Sequence, residues 1–449
     1  MKNTTTATVD PELLKLNGKP SWLASLPQAL QHVLAMLAGN ITPPILISAT
    51  CGLSADERIL LIQAAMLIGG LTTLVQLYPV WKFGMGLPNV MGVAFAYMPI
   101  LTAIGAQYGI AAIFGAQLVA AFASIFIGMA IGKIRKFFPP IVSGTVVLAI
   151  GLSLYNTAVT YMAGGAAAQG AGTFGLPIYW IIALVVLVVT LLCNFFGKGI
   201  IKVSGILIGI AVGYVISLFV GDMVSFESFK TSAWIALPKL FPFGLEFHPT
   251  AIVSMILMYI VQAVQTIGDV SSTTIGAFGR EVEDRELAGA INGQGICGMI
   301  GACIGGLPTD PFSQNVGLIV TTKVVAKRVF LLVGAIMLAA GFIPKFGSLM
   351  TSIPYPVLGG ATITVFAAIT MSGIELICEQ PFSYRNKMIV GISLALGVGV
   401  NLASASLQFM PDLVKNIFGS SPIVLAFLVS FLLNIIVPET DADKAPEIE

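Results

Sequence analysis

Phe83-Gly-Met-Gly-Leu-Pro-Asn-Val-Met-Gly92 and Gly305-Gly-Leu-Pro-Thr-Asp-Pro-Phe-Ser-Gln-Asn-Val-Gly317 decide the fold. Both put Gly, Pro and polar groups into the middle of apolar sequence. Proline removes a backbone donor and clashes with the preceding turn, so neither stretch is an uninterrupted helix. Around them the chain is 57% hydrophobic and only 10% charged, too little charge for the surface of a 449-residue soluble protein. No charge occurs between Lys82 and Lys133, nor between Lys136 and Lys198. Each gap exceeds the roughly 20 apolar residues that cross a bilayer, so the chain is read as a polytopic membrane protein.

Charges and turn residues place fourteen spans: 28–50, 57–79, 84–104, 110–131, 139–160, 176–196, 200–220, 250–277, 286–306, 308–323, 329–349, 353–376, 386–406 and 419–437. With both termini cytoplasmic, 17 of the 22 Lys and Arg fall inside; only Arg58, Lys230, Lys239, Lys345 and Lys415 fall outside. That asymmetry follows the positive-inside rule and requires an even span count. Charge leaves open a variant with twelve spans and two re-entrant segments. The domain reading is a cytosolic tail over 1–27, a first seven-span repeat over 28–220, an extracellular loop over 221–249, a second repeat over 250–437 and a tail over 438–449.

Both deciding stretches follow two long spans, and both contain Gly-Leu-Pro, at Gly86–Pro88 and Gly306–Pro308. Pro140-Ile-Val-Ser-Gly144 in the fifth span is matched by Pro356-Val-Leu-Gly-Gly360 in the twelfth. Two repeats of seven spans follow, of opposite topology because seven is odd. The fold expected is therefore all-α and polytopic, as two inverted seven-span repeats with broken third and tenth spans. Paired broken segments in inverted halves point to a transporter site near the bilayer midplane.

The net charge of +1 and the lack of a basic tract exclude a nucleic-acid partner. Five scattered cysteines and two histidines give no metal or disulfide framework, and no cofactor is expected. Gly293-Gln-Gly-Ile-Cys-Gly298 fits GxGxxG but lies inside an apolar span, where close helix packing accounts for it.

Gln314-Asn-Val-Gly-Leu-Ile-Val-Thr-Thr-Lys323 resembles the signature of nucleobase/ascorbate transporters. Gln31-His-Val-Leu-Ala-Met36, Gly-Leu-Pro with Phe95, and Gln265-Thr-Ile-Gly-Asp269 resemble further blocks of that family, in order along most of the chain. The resemblance implies a core domain (spans 1–4 and 8–11) and a gate domain (spans 5–7 and 12–14), with substrate between the broken spans and facing the eighth. It also implies proton-coupled uptake of a nucleobase, a homodimer, and an inner-membrane location.

A nucleobase has a flat apolar face and an edge of alternating donors and acceptors, and a side-chain amide offers both. Gln265 and Gln314 are therefore the candidates for reading that edge. Asn315 either joins them or brackets the broken backbone, and Ala94 and Phe95 are candidates for the apolar wall. Gln265 and Asp269, four apart, share one helix face, and polar groups within a span suggest function by default. In the family pattern Gln265 and Gln294 replace carboxylates, whereas Asp310 adds one. Asp269 and Asp310 are thus candidates for carrying a coupling proton; the alternatives are scaffolding for Asp269 and a helix cap for Asp310. His32 is read as a hydrogen-bonding residue that organises the site.

Three classes remain: a secondary active purine transporter for xanthine or urate, an anion exchanger of the sulfate-permease architecture, and a membrane-embedded enzyme. The enzyme lacks any HExxH, Cys/His or Ser/His/Asp set. The exchanger lacks a cation inside the tenth span. Within the transporter class, a uracil permease and a sodium-coupled or facilitative carrier are the alternatives.

Overall fold

The computed structural model describes residues 10–134, 137–221, 223–411, 414–419 and 421–438; the expected terminal tails lie partly outside these. The helices relevant here are α1 (Trp22–Thr50), α2 (Ala55–Leu77), α3 (Met98–Tyr108), α4 (Ile110–Ile134), α5 (Pro140–Met162), α6 (Pro177–Phe196), α7 (Gly205–Leu218), α8 (Pro249–Thr273), α9 (Asp284–Ile304), α10 (Ser313–Thr322), α11 (Lys327–Gly341), α12 (Pro344–Thr351), α13 (Tyr355–Cys378), α14 (Tyr384–Leu402) and α15 (Pro422–Ile436). Every expected span has a helix or half-helix at its place. Among the described residues, eight helices are long and apolar enough to cross a membrane, or nine if α11 and α12, bent by 81°, count as one.

The helix starts have visible local causes. Ser54 and Glu57 form a reciprocal capping box on α2, Glu283 and Glu286 one on α9, and proline opens α5, α6, α8, α13 and α15. α1 begins at Trp22, capped by Ser21, six residues before the expected edge. The stretch before it is also not a free tail. Leu13 is buried, its carbonyl accepts from Val325 and Ala326 N–H at 3.0 and 3.1 Å, and Arg328 bonds the Pro20 carbonyl. One buried leucine, two backbone bonds and one arginine bond dock this arm on the loop between α10 and α11 and the start of α11.

Helix packing repeats with a seven-span shift. α2 lies along α11 as α9 lies along α4, α6 packs on α7 as α14 packs on α15, and α5 and α13 pack directly on each other. α5 and α13 approach backbone to backbone, since a Cβ on Gly144 would lie 2.8 Å from the Gly373 carbonyl oxygen.

The exception to the all-helical expectation lies in the two broken spans. β1 (Met91–Val93) and β2 (Thr309–Pro311) pair antiparallel, with Gly92 opposite Asp310. Extended backbone inside a membrane is tolerated only where protein satisfies it, and each strand supplies the other's partners. The Gly-Leu-Pro motifs do not occupy equivalent places, for Pro308 directly precedes β2 while Asn89 and Val90 intervene between Pro88 and β1. The GxGxxG stretch is helix packing: Cβ atoms on Gly295 and Gly298 would each lie 3.0 Å from Ala121 of α4.

Candidate functional site

The strand crossing continues beyond its three-residue ladder through Phe312 N to the Val90 carbonyl at 3.0 Å and Ala94 N to the Pro308 carbonyl at 2.9 Å. Neighbouring side chains hold the rest of the backbone. Asn40 Oδ1 accepts from Val93 N at 2.8 Å while its amide donates to the Ala65 carbonyl at 3.2 Å. Thr73 Oγ1 accepts from Met91 N at 3.0 Å. On the other strand, Gln262 donates to the Thr309 carbonyl and Tyr97 O–H donates to Gln262. Below the crossing, Gln76 accepts from Met85 N at 3.2 Å and donates to the Ala290 carbonyl at 2.8 Å. Asn40, Thr73, Gln76, Tyr97 and Gln262 are not singled out by sequence reasoning, although the signal is present as polar side chains within apolar spans.

The predicted site residues converge on this crossing from two helices. Ser313 Oγ donates to Asp269 Oδ1 at 2.8 Å, tying the start of α10 to α8. Gln265 lies one turn earlier on α8, between Asp269 and Gln262, which holds Thr309 of β2. Gln265 Oε1 and Asp269 Oδ2 are buried without a partner. Asp310 is itself buried, in β2 opposite Gly92. Two carboxyls, an amide and a hydroxyl therefore meet where α8 passes the broken tenth span.

The helix-cap alternative for Asp310 is not what the structure adopts. α10 begins after Phe312, with no side-chain cap, and Asp310 lies too early because Pro311 completes β2 first. Asn315 is a bracket: its Nδ2 lies 3.1 Å from His32 Nδ1 and donates to the His32 carbonyl at 3.0 Å. His32 is buried and tilts against Phe330 at 4.9 Å, which completes the bracket from α1 through α10 to α11. Gln294 exchanges hydrogen bonds with Thr266 at 3.0 and 3.1 Å, so it fixes α9 to α8 beside Gln265.

Gln314 is half-buried at the first turn of α10, its amide nitrogen 3.6 Å from where a Cβ on Gly39 would stand. Ala94 is fully buried and its N–H donates to the Pro308 carbonyl, just before β2. Phe95 follows it, edge-on to Phe366 of α13 at 5.1 Å, so the apolar side of the crossing abuts α13. Amides and carboxyls thus gather where α8 meets the broken tenth span, and aromatic rings where the broken third span meets α13, group types suited to a flat molecule with a hydrogen-bonding edge. The cations nearest the end of α10 are engaged elsewhere: Lys323 bonds the Gly276 carbonyl and Arg328 the Pro20 carbonyl.

Residues 23–405 match a family model described as the permease family. The chain belongs to this family. The permease is 34% identical over 407 residues to the uric acid permease PucK of Bacillus subtilis, covering 90% of this chain and 93% of PucK. It is 31% identical over 441 residues to the xanthine permease XanQ of Escherichia coli, covering 95% of this chain and 94% of XanQ. Among solved structures it resembles the transmembrane domain of the cyanobacterial bicarbonate transporter BicA, with TM-score 0.57 and 15% identity over 94% of this chain and all of that one. The murine anion transporter Slc26a9 in its inward-facing state matches with TM-score 0.60 and 13% identity, over 97% of this chain and 73% of the other. At such identities these structures share the fold, two inverted repeats, and say nothing of substrate. The permease is a multi-pass membrane protein and not an enzyme.

Proposed function

We propose that the permease imports a purine base, xanthine or urate, by proton symport with alternating access. The observation that carries this reading is the cluster of Gln265, Asp269, Asp310 and Ser313 at the crossing of the broken spans, with Gln314 one residue further on. Gln265 and Gln314 read the edge of the base, and Ala94 and Phe95 form its apolar wall. The bracket of Asn315 on His32 and the Gln294–Thr266 pair hold the geometry. Intramembrane carboxyls that pair beside a polar site are the material of proton relays, and Asp269 and Asp310 take that role. No other cofactor is required.

The core domain, spans 1–4 and 8–11, carries the site past a gate domain of spans 5–7 and 12–14. The protein works as a homodimer in the inner membrane with both termini in the cytoplasm. Likeness to uric acid and xanthine permeases supports the substrate class. The anion-exchanger alternative has no free cation at the crossing, among the described residues, to hold its substrate.

Uptake of labelled xanthine challenged with urate, guanine, hypoxanthine and uracil tests the substrate. Purines should outcompete uracil. Gln314→Glu should weaken purine uptake by about 1–3 kcal/mol, because a carboxylate accepts but does not donate. Uracil as the better competitor of the wild type would discard the purine assignment.

A further inference from the structure

A second constellation lies away from the strand crossing, on the side that the charge asymmetry assigns to the exterior. Arg58, in the second turn of α2, lines a cavity of about 460 Å³ with Tyr179, Tyr355, Thr173, Ser228 and Ser352. The volume falls in the range of small-molecule sites, roughly 300–1,000 Å³. Its walls come from α2 on one side and from α6, α13 and the segments around 164–173 and 223–228 on the other.

Arg58 has no acidic partner within ion-pair distance among the described residues. Its Nε is buried without a hydrogen-bond partner. The acids of its own helix do not serve: Asp56 makes no ion pair with it, and Glu57 is held by Ser54 N and Oγ at 2.9 and 2.7 Å. The phenols of Tyr179 and Tyr355 share its cavity instead. The Tyr161 ring packs edge-on against Tyr355 at 4.9 Å. The Tyr161 hydroxyl is buried without a partner, in a residue that is 5% exposed. A partly buried guanidinium with an unpartnered Nε, in a cavity lined by hydroxyls and aromatic rings, is matched to an anion that comes and goes.

We propose that Arg58, Tyr179 and Tyr355 form an outer binding site for a planar heterocyclic anion, the ionised form of an oxidised purine such as urate. The guanidinium fork meets the anionic edge in a charge-assisted pair, the phenol hydroxyls take neighbouring ring atoms, and the tyrosine rings flank its face. The site spans α2 and α13, elements that separate in an alternating-access cycle, so it captures the anion while the outer side is open. This rests on the purine-uptake reading and adds a preference by charge.

The test uses the full chain in proteoliposomes at mildly acidic pH, where urate is ionised and xanthine is not. KM and kcat for both bases are compared in wild type, Arg58→Gln and Arg58→Lys, with size-exclusion profiles to check folding. Arg58→Gln should raise KM for urate about tenfold, the loss of one hydrogen-bonded charge. Its KM for xanthine should stay within about twofold, with kcat unchanged for both, and Arg58→Lys should recover most of the urate affinity. An equal change for both bases, no change for urate, or misfolding shared by Gln and Lys variants would overturn the proposal. Wild-type uptake of xanthine without inhibition by urate would overturn the outer site alone, whereas uptake of neither base would overturn the purine reading beneath it.

Discussion

Replacing Gly92 by alanine is the sharpest test of the strand crossing as the structural centre of the site. A Cβ at Gly92 would stand 2.8 Å from Asn40 Oδ1 and 2.8 Å from Phe312 Cζ, and would overlap Phe312 Cε2 outright. The opposite edge of the ring already packs close to Gly39, where a Cβ would lie 2.9 Å from Phe312 Cε1, which limits how far the ring can retreat. Overpacking of this kind costs about 1–3 kcal/mol. If Asn40 yields instead, Val93 N–H loses its acceptor, at a similar cost of about 1–3 kcal/mol. Either response moves Asp310, which pairs with Gly92 across the ladder. Gly92→Ala should therefore lower the detergent melting temperature by on the order of 2–6 °C and depress uptake. Phe312→Leu on that background should restore part of both, since it frees the space the methyl needs. Wild-type stability and kinetics in Gly92→Ala, or no rescue by Phe312→Leu, would refute the packing argument.

Two further outcomes follow from the architecture. Gln76→Leu should destabilise by about 1–3 kcal/mol, because it leaves the Met85 N–H and the Ala290 carbonyl unpaired in the membrane, read as a lower melting temperature. For orientation, a cysteine at Gly170, which is exposed with open space around it, should react with an impermeant maleimide added outside while one at Lys133 should not. The opposite labelling would reverse the topology.

The spans were legible because charge and proline punctuate a continuously apolar chain, and the breaks because Gly-Leu-Pro cannot continue a helix. The pairing of β1 with β2 was not, since three-residue strands more than two hundred positions apart carry no register signal. Asn40 sits in α1 just before Pro43 and Pro44, yet nothing in that span says which backbone its amide serves. Asp310 reads from its neighbours as either a coupling carboxyl or a helix cap, and only the strand geometry removes the cap. Gln265, Asp269 and Gln314 were legible as polar groups within membrane depth. Their convergence depends on how the eighth span passes the tenth, a tertiary fact.

Proton coupling through the carboxyl pair is the central claim, and accumulation of labelled purine in proteoliposomes under an imposed pH gradient tests it most directly. Wild type should accumulate substrate when the outside is acidic. Either Asp269→Asn or Asp310→Asn should keep substrate binding and exchange while losing gradient-driven accumulation. Full accumulation by the double variant, or wild-type accumulation indifferent to the pH gradient, would contradict the account.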